Sequence, residues 1–231
     1  MTRNVKVSAG LVAVFALVIA VIAVTTGGRD DDPAAPTPTA TPSSSSPDTA
    51  SKEETRVVAS DPRRLGRPGT GGVTFTEFLD FECEACAAAF PAIEQLRNEY
   101  DGRVTFNVRY FPLPSHANAR NAALAVEAAT QQGKLEAMYK RMYETQSSWG
   151  EQRTSKAAVF RGFAEDLGLD MQAFDAAVAD PKTAARVERD VAAGQALGVE
   201  STPTFFIDET RIEPQSFDDL RRQLDDALRG A

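Results

Sequence analysis

An α/β fold is predicted for the larger, C-terminal part of this 231-residue chain, and three observations predict it. A β-branched and aromatic run, Val73 to Phe81, leads into a helix-periodic segment and then into the alternating run Arg103 to Phe111. Strand, helix, strand demands a parallel crossover, the unit from which α/β sheets are built. A long, Ala-rich helical block follows, and the chain closes with strand, strand and helix. The composition, 42% hydrophobic and 25% charged, is that of a foldable globular chain.

The first element is apolar throughout. Arg3 and Lys6 precede the uncharged run Leu11 to Val24, which its small and polar flanks extend to about the 17 to 20 residues a membrane-spanning helix needs. Positive charge before the run, and Asp30, Asp31 and Asp32 after it, orient the amino terminus toward the cytoplasm and everything downstream outside. Residues 1–26 are therefore read as a retained anchor. A cleaved secretory signal is the alternative, because the core sits at the upper edge of signal length although no Ala-x-Ala follows it. Residues 27–70, with five prolines before Asp48 and the Ser43 to Ser46 run, cannot bury enough apolar surface to offset ordering entropy. They read as a flexible, disordered tether with a root-mean-square span of about 35 Å.

The folded domain is predicted at residues 71–231. Val73 to Phe81 has the length and residue types of a buried strand and follows Gly71-Gly72. From Cys83 onward, Phe90, Ile93, Leu96 and Tyr100 recur at spacings of three and four, one face of a helix. Pro91 falls inside that helix and is expected to kink it, and Asp101-Gly102 ends it. Val104, Phe106 and Val108 then alternate as a second strand. The helical insertion, about residues 115–198, is read as five helices. Ala117 to Gln132 is the first, and Leu135, Met138, Tyr139, Met142 and Tyr143 mark a second whose stripe is core. Thr154 caps a third, Asp170 a short fourth, and Asp180-Pro181 opens a fifth that ends at Gly198. Thr204 to Ile207 is a strand, Arg211 to Ile212 a short return, and Ser216 caps the last helix with Asp219 as the capping-box acid.

Charge and composition exclude some functions. The chain carries a net charge of -8, and from residue 71 onward it holds 17 Lys and Arg against 26 Asp and Glu. An acidic domain repels phosphate backbones, so no nucleic-acid partner is expected. Two cysteines and one histidine cannot fill a four-ligand structural zinc site, so no metal is expected.

The chemistry centres on Cys83-Glu84-Ala85-Cys86. Two cysteines placed at random fall at this spacing about one time in a hundred, so the pairing is a signal. It sits at a strand-to-helix junction, where unpaired amides and the helix dipole favour a thiolate on Cys83, while Cys86, one turn deeper, stays a thiol. That asymmetry suits thiol–disulfide exchange: the outer sulfur attacks and leaves well, and the inner one resolves the mixed disulfide. A purely structural disulfide is the plainer alternative, but closing so short a loop removes little unfolded-state entropy. Half of a zinc site would need a partner chain for its other ligands.

Three segments together carry a family likeness. Phe81-Glu82-Cys83-Glu84-Ala85-Cys86 after a hydrophobic strand, Phe111-Pro112-Leu113 after the next, and Thr202-Pro203-Thr204-Phe205-Phe206 after the helical block resemble the DsbA-like branch of thioredoxin-fold thiol:disulfide oxidoreductases. The resemblance spans about Gly71 to Leu228. It implies a thioredoxin fold with an inserted helical domain, a cis Pro203 beside the cysteines, and Thr202 offering its backbone to a substrate peptide. Glu77, six residues before Cys83, matches the family's buried acid that exchanges a proton with Cys86; burial would raise its pKa toward neutrality. Arg109 is the candidate for that acid's basic partner. No metal or organic cofactor is implied beyond the redox-active Cys83–Cys86 disulfide. The implied partners are thiol-containing secreted or envelope proteins and a quinone-linked membrane reoxidant of the DsbB or vitamin K epoxide reductase type.

The dipeptide Glu84-Ala85 departs from the family's best-known pairs. Glu84, with Glu82 and Asp80 near it in sequence, opposes a thiolate on Cys83 and predicts a weaker oxidant. His116, the sole histidine, opens the helical insertion and reads as a capping or packing residue. The function expected is an extracytoplasmic enzyme that introduces disulfides into secreted or envelope proteins. The alternatives are a reductase or isomerase of envelope disulfides, and a non-catalytic peptide-binding chaperone.

Overall fold

The computed structural model describes residues 56–231. The predicted anchor and most of the predicted tether lie outside the described residues. Among the described residues no helix is long and apolar enough to cross a membrane.

Five strands form one sheet: β1 (Arg63–Leu65), β2 (Val73–Leu79), β3 (Val104–Tyr110), β4 (Thr204–Ile207) and β5 (Thr210–Ile212), in the order β1-β3-β2-β4-β5. β2 and β3 run parallel, joined by helix α1 (Glu84–Glu99), and every other neighbour is antiparallel. β2 is central and almost wholly buried, which is why its sequence is a continuous apolar run rather than an alternating one. The helical insertion between β3 and β4 comprises α2 (Ala119–Thr130), α3 (Leu135–Thr145), α4 (Ala157–Asp166), α5 (Met171–Ala179) and α6 (Pro181–Ala196), and α7 (Phe217–Gly230) closes the chain.

The two sheet faces bury different partners. Val73, Phe75, Glu77 and Leu79 share one face of β2, and the apolar ones join Ile93 and Leu96 of α1 and Leu220 and Leu224 of α7 in the main core. The opposite face carries Phe78, which joins Val57, Phe111, Val199 and Phe206 in a second cluster under α6. Contact there is close: a Cβ on Gly194 of α6 would meet the Phe111 ring at 2.7 Å and Phe78 at 3.1 Å. The Met138, Tyr139, Met142 stripe and Trp149 are buried core, as their helical spacing predicts.

Composition predicts a tether through residue 70, yet the packed domain starts earlier. Arg63–Leu65 is an edge strand paired antiparallel with β3, Arg63 opposite Val108 and Leu65 opposite Phe106. Val57 is fully buried, and Arg109 Nη1 donates to the carbonyls of Arg56 (2.7 Å) and Val57 (3.2 Å). So short a strand draws its order from the ladder offered by β3 rather than from its own residues.

Capping also differs in two places. Asp170, Asp180 and Ser216 cap as expected, accepting from the amides of Ala173, Lys182 and Asp219. The Asp219 carboxylate, however, accepts from the amide of Gln215 at 2.9 Å, one residue ahead of the cap. Thr154 does not cap α4, which starts at Ala157. Asn118 holds that loop instead, its amide nitrogen donating to the carbonyls of Gln152 (2.6 Å) and Thr154 (3.3 Å) while its side-chain oxygen accepts from Lys156 N (2.7 Å).

Candidate active site

Cys83 is the N-cap of α1, with extended backbone, so its side chain stands at the mouth of a helix whose first amides have no intrahelical partner. Its own amide donates to Asp80 O at 3.2 Å, and its carbonyl accepts from Ala87 N at 3.1 Å and from Gln146 Nε2 at 2.9 Å. Gln146 Nε2 also donates to Phe81 O at 2.9 Å, so one side chain of the helical insertion braces both ends of the turn. Both cysteines are thiols. Cys83 is 7% exposed and Cys86, one turn into α1, is 1% exposed.

The loop before β4 completes the site. The Thr202–Pro203 peptide is cis, and the Cys83 thiol donates to the Thr202 carbonyl at 3.3 Å. Beyond Pro203, a cleft of about 230 Å³ runs between Ser201, Phe205, Arg211 and Gln215.

The two sulfurs differ in protonation. The Cys83 thiol is pulled down to about 5, first by a hydrogen bond from Cys86, with burial opposing and the Thr202 side chain and the amides of Cys86 and Ala85 assisting. The buried Thr202 hydroxyl has no hydrogen-bond partner, so it is free to turn to the sulfur when that ionises. Cys86 is pushed far up by burial, then by its bond to Cys83 and by the nearby Glu77 charge. Proximity to the N-terminal amides and burial one turn deeper thus separate the pair in the direction its placement predicts.

Glu77 lies on the same sheet face as the main core, 2% exposed, with Oε2 lacking any hydrogen-bond partner. Burial raises it to about 8, and the charges of Cys83 and Glu94 add to the effect. Arg109 is not its partner. Glu77 stands opposite Val108 in the β2–β3 register, so Arg109, one residue on, points to the other face. There its guanidinium lies 5.3 Å over the Phe78 ring and its Nε donates to Asp190 at 2.7 Å.

Glu84 is exposed in the first turn of α1, and Ala85 follows it. Glu82 and Asp80 are buried, and donors surround them. Glu82 Oε2 accepts from Asn118 N at 2.5 Å. Asp80 accepts from Glu82 N at 2.8 Å and Leu113 N at 2.9 Å, and its Oδ2 lies 2.6 Å from His116 Nδ1. His116 therefore reaches the residue whose carbonyl anchors Cys83. Gln146 and the placement of His116 were not legible from periodicity; the only available hint was a lone histidine three residues after Phe111-Pro112-Leu113. Among the described residues no three or more His, Cys, Asp or Glu side chains gather to hold a metal ion.

A cysteine pair at the first turn of a crossover helix, a buried acid beneath it and a cis-proline loop against the outer sulfur define a dithiol protein of the thioredoxin type. The comparisons make this specific. The family model described as Thioredoxin matches residues 61–226, and the chain belongs to that family. A thioredoxin-like oxidoreductase from Silicibacter pomeroyi DSS-3 is 26% identical, with a TM-score of 0.62 over 74% of this chain and 94% of that one. The thiol-disulfide exchange protein alpha-DsbA2 from Wolbachia pipientis, 20% identical, shares the fold with a TM-score of 0.62 over 78% of this chain and 94% of that one. Among curated relatives, the Na(+)/H(+) antiporter NhaA of Herminiimonas arsenicoxydans is 34% identical over 145 residues. That match takes in 63% of this chain but 22% of the relative, so the chain spans about a fifth of the relative's length.

Proposed function

We propose that this protein is a disulfide donor: an extracytoplasmic oxidase that passes a Cys83–Cys86 disulfide to the thiols of secreted or envelope proteins. The observation that supports it is the split between the sulfurs, Cys83 held down to about 5 and Cys86 pushed up by burial. A stabilised thiolate favours the reduced pair, and a disulfide whose reduced form is stabilised is a strong oxidant.

A substrate thiolate attacks Cys83, the Cys83–Cys86 bond breaks, and Cys86 leaves, taking a proton from Glu77 rather than remaining a buried anion. A second substrate thiolate attacks the substrate sulfur of the mixed disulfide, and Cys83 departs as a thiolate. The substrate loses two electrons and the cysteine pair gains them. Thr202 and Pro203 offer the edge along which the substrate peptide lies against Cys83. Reoxidation requires a two-electron acceptor, and a quinone-linked membrane protein of the DsbB or vitamin K epoxide reductase type fits an enzyme held to the membrane by residues 1–26 on the tether. The same domain run in reverse is a reductase or isomerase, and direction follows from potential and partner.

The deciding experiment measures the reduction potential of the pair against glutathione and traps free thiols in intact cells. A potential well above that of glutathione, with the pair mostly oxidised in cells, is the outcome expected. A strongly reducing potential with the pair mostly reduced rejects the donor role in favour of the reductase. Retention of full cellular function by Cys83→Ala rejects both in favour of a chaperone.

A further inference from the structure

His116 is a titratable group beside the turn that carries Cys83, and the exchange reaction above leaves it unused. Its ring is fixed by Asp80, whose carboxylate is fully buried and whose Oδ2 lies 2.6 Å from Nδ1. Asp80 also accepts from the amides of Glu82, on Oδ1, and Leu113, on Oδ2. A carboxylate held this way accepts a proton-bearing Nδ1, which leaves Nε2 for solvent. The His116 side chain is 28% exposed and lines a cleft of about 240 Å³ with Glu82, Ser115, Glu151 and Arg153. The same Asp80 accepts the Cys83 amide through its carbonyl, so a single residue joins the imidazole to the backbone of the reactive cysteine.

The groups facing the imidazole are mostly anionic. Asp80 comes from the end of β2, Glu82 and Cys83 from the turn into α1, and Glu151 and Arg153 from the loop between α3 and α4. Partial burial pulls His116 down, but the Asp80 hydrogen bond and charge, followed by the charges of Cys83 and Glu82, raise it above its ordinary value. The Cys83 contribution exists only when that sulfur is a free thiolate. In the disulfide it vanishes.

Resting on the donor reading above, we propose that the Asp80–His116 pair is a proton-linked tuning element, in which a cationic imidazole from the edge of the helical insertion stabilises the Cys83 thiolate and makes the oxidising power of the pair depend on pH. Reduction by a substrate dithiol breaks the Cys83–Cys86 bond with two electrons, places one proton on Cys86 and leaves Cys83 as a thiolate. Between the oxidised-state and reduced-state midpoints of His116, that step also draws a fraction of a proton from solvent onto the imidazole. Below this window His116 is charged in both states and the disulfide is at its most oxidising. Above it the imidazole is neutral and the thiolate loses its cation. His116 is thus a positioning residue for charge, acting without touching the substrate.

The sequence holds one histidine, so its ring proton resonances are unambiguous in an NMR titration of the whole protein. The imidazole midpoint is expected to be higher in the reduced protein than in the oxidised one by about half a pH unit or more. A second measurement follows Cys83 thiolate absorbance in His116→Gln, where the thiolate midpoint should rise, and in His116→Lys, where it should stay low. Equal imidazole midpoints in the two redox states, or a Cys83 midpoint unmoved in His116→Gln, would overturn the proposal. Failure of the unmodified protein to exchange with glutathione at all would instead reject the donor reading on which it rests.

Discussion

Cys83 Sγ lies 3.3 Å from the carbonyl oxygen of Thr202, a residue 119 positions away in sequence. In the thiol state that carbonyl accepts the sulfhydryl proton. On ionisation it has nothing to accept, and the unpartnered Thr202 hydroxyl becomes the useful group, donating to the thiolate instead. Thr202→Val keeps the carbonyl and the shape but removes that donor. Since a hydrogen bond to a charged group is worth roughly 1.5 to 3 kcal/mol, the Cys83 midpoint should rise from about 5 by about one to two pH units. Thiolate absorbance against pH reads this directly, and an unchanged midpoint means the hydroxyl is idle.

Glu77 imposes a cost on the fold that depends on pH. The unfolded chain ionises this carboxyl in the ordinary range near 4.5, while burial holds it protonated in the folded state up to about 8. The folded state thus binds more protons than the unfolded one between those values, and stability falls as pH rises through them. Glu77→Leu removes the penalty. Urea unfolding should show a gain on the order of 5 kcal/mol at pH 9 and little below pH 4.5, with slower disulfide exchange because Cys86 has lost its proton partner. A gain equal at both pH values would show that packing, not ionisation, sets the difference.

Glu84 acts in two opposite ways. Exposed in the first turn of α1, its charge favours the helix dipole, yet it opposes a thiolate on the preceding residue. Glu84→Gln should therefore cost at most about 1 kcal/mol of stability while lowering the Cys83 midpoint and making the disulfide more oxidising. Raising the ionic strength should shrink the difference between the two proteins, because the charge removed is solvent-exposed. A raised midpoint in the variant rejects this account.

The parts of the fold that could be read from sequence are those whose signal is local. The helical spacing of Phe90, Ile93, Leu96 and Tyr100 and the apolar run of β2 each fix one element, and the Cys-x-x-Cys spacing marks the reactive turn. Residues brought together by register or by folding back were not legible. Arg109, the candidate basic partner of Glu77, lies one residue out of register with it, which sends the two side chains to opposite faces. β1 carries no pattern of its own, since three residues in an Arg-rich stretch become a strand only when β3 presents a free edge. His116 looked remote because 36 residues separate it from Asp80, a distance that the return of the chain after β3 closes.

The true role of Arg109 gives a stability prediction. Asp190, fully buried on α6, accepts from Arg109 Nε at 2.7 Å and from Tyr110 N at 3.1 Å, and pairs with Arg186 Nη1 at 2.7 Å. Two guanidinium groups, both nearly buried, share this one carboxylate, and Arg109 in turn holds the carbonyls of residues 56 and 57 against the sheet. Asp190→Ala strands the buried Arg109 cation and leaves Arg186 only the half-exposed Asp61, 3.1 Å from its Nε. Breaking a buried pair by removing one partner costs about 3 to 5 kcal/mol, largely the penalty of the stranded charge. The exposed Arg67–Asp101 pair is the control, because its 2.5 Å contact lies in solvent where screening leaves little net stabilisation. Thermal unfolding should show a large fall in Tm for Asp190→Ala that persists in high salt, and almost none for Arg67→Ala. Limited proteolysis of Asp190→Ala should also release the segment around Val57 early, and protection equal to that of the unmodified protein would show that the second apolar cluster, rather than the Arg109 clamp, holds it in place.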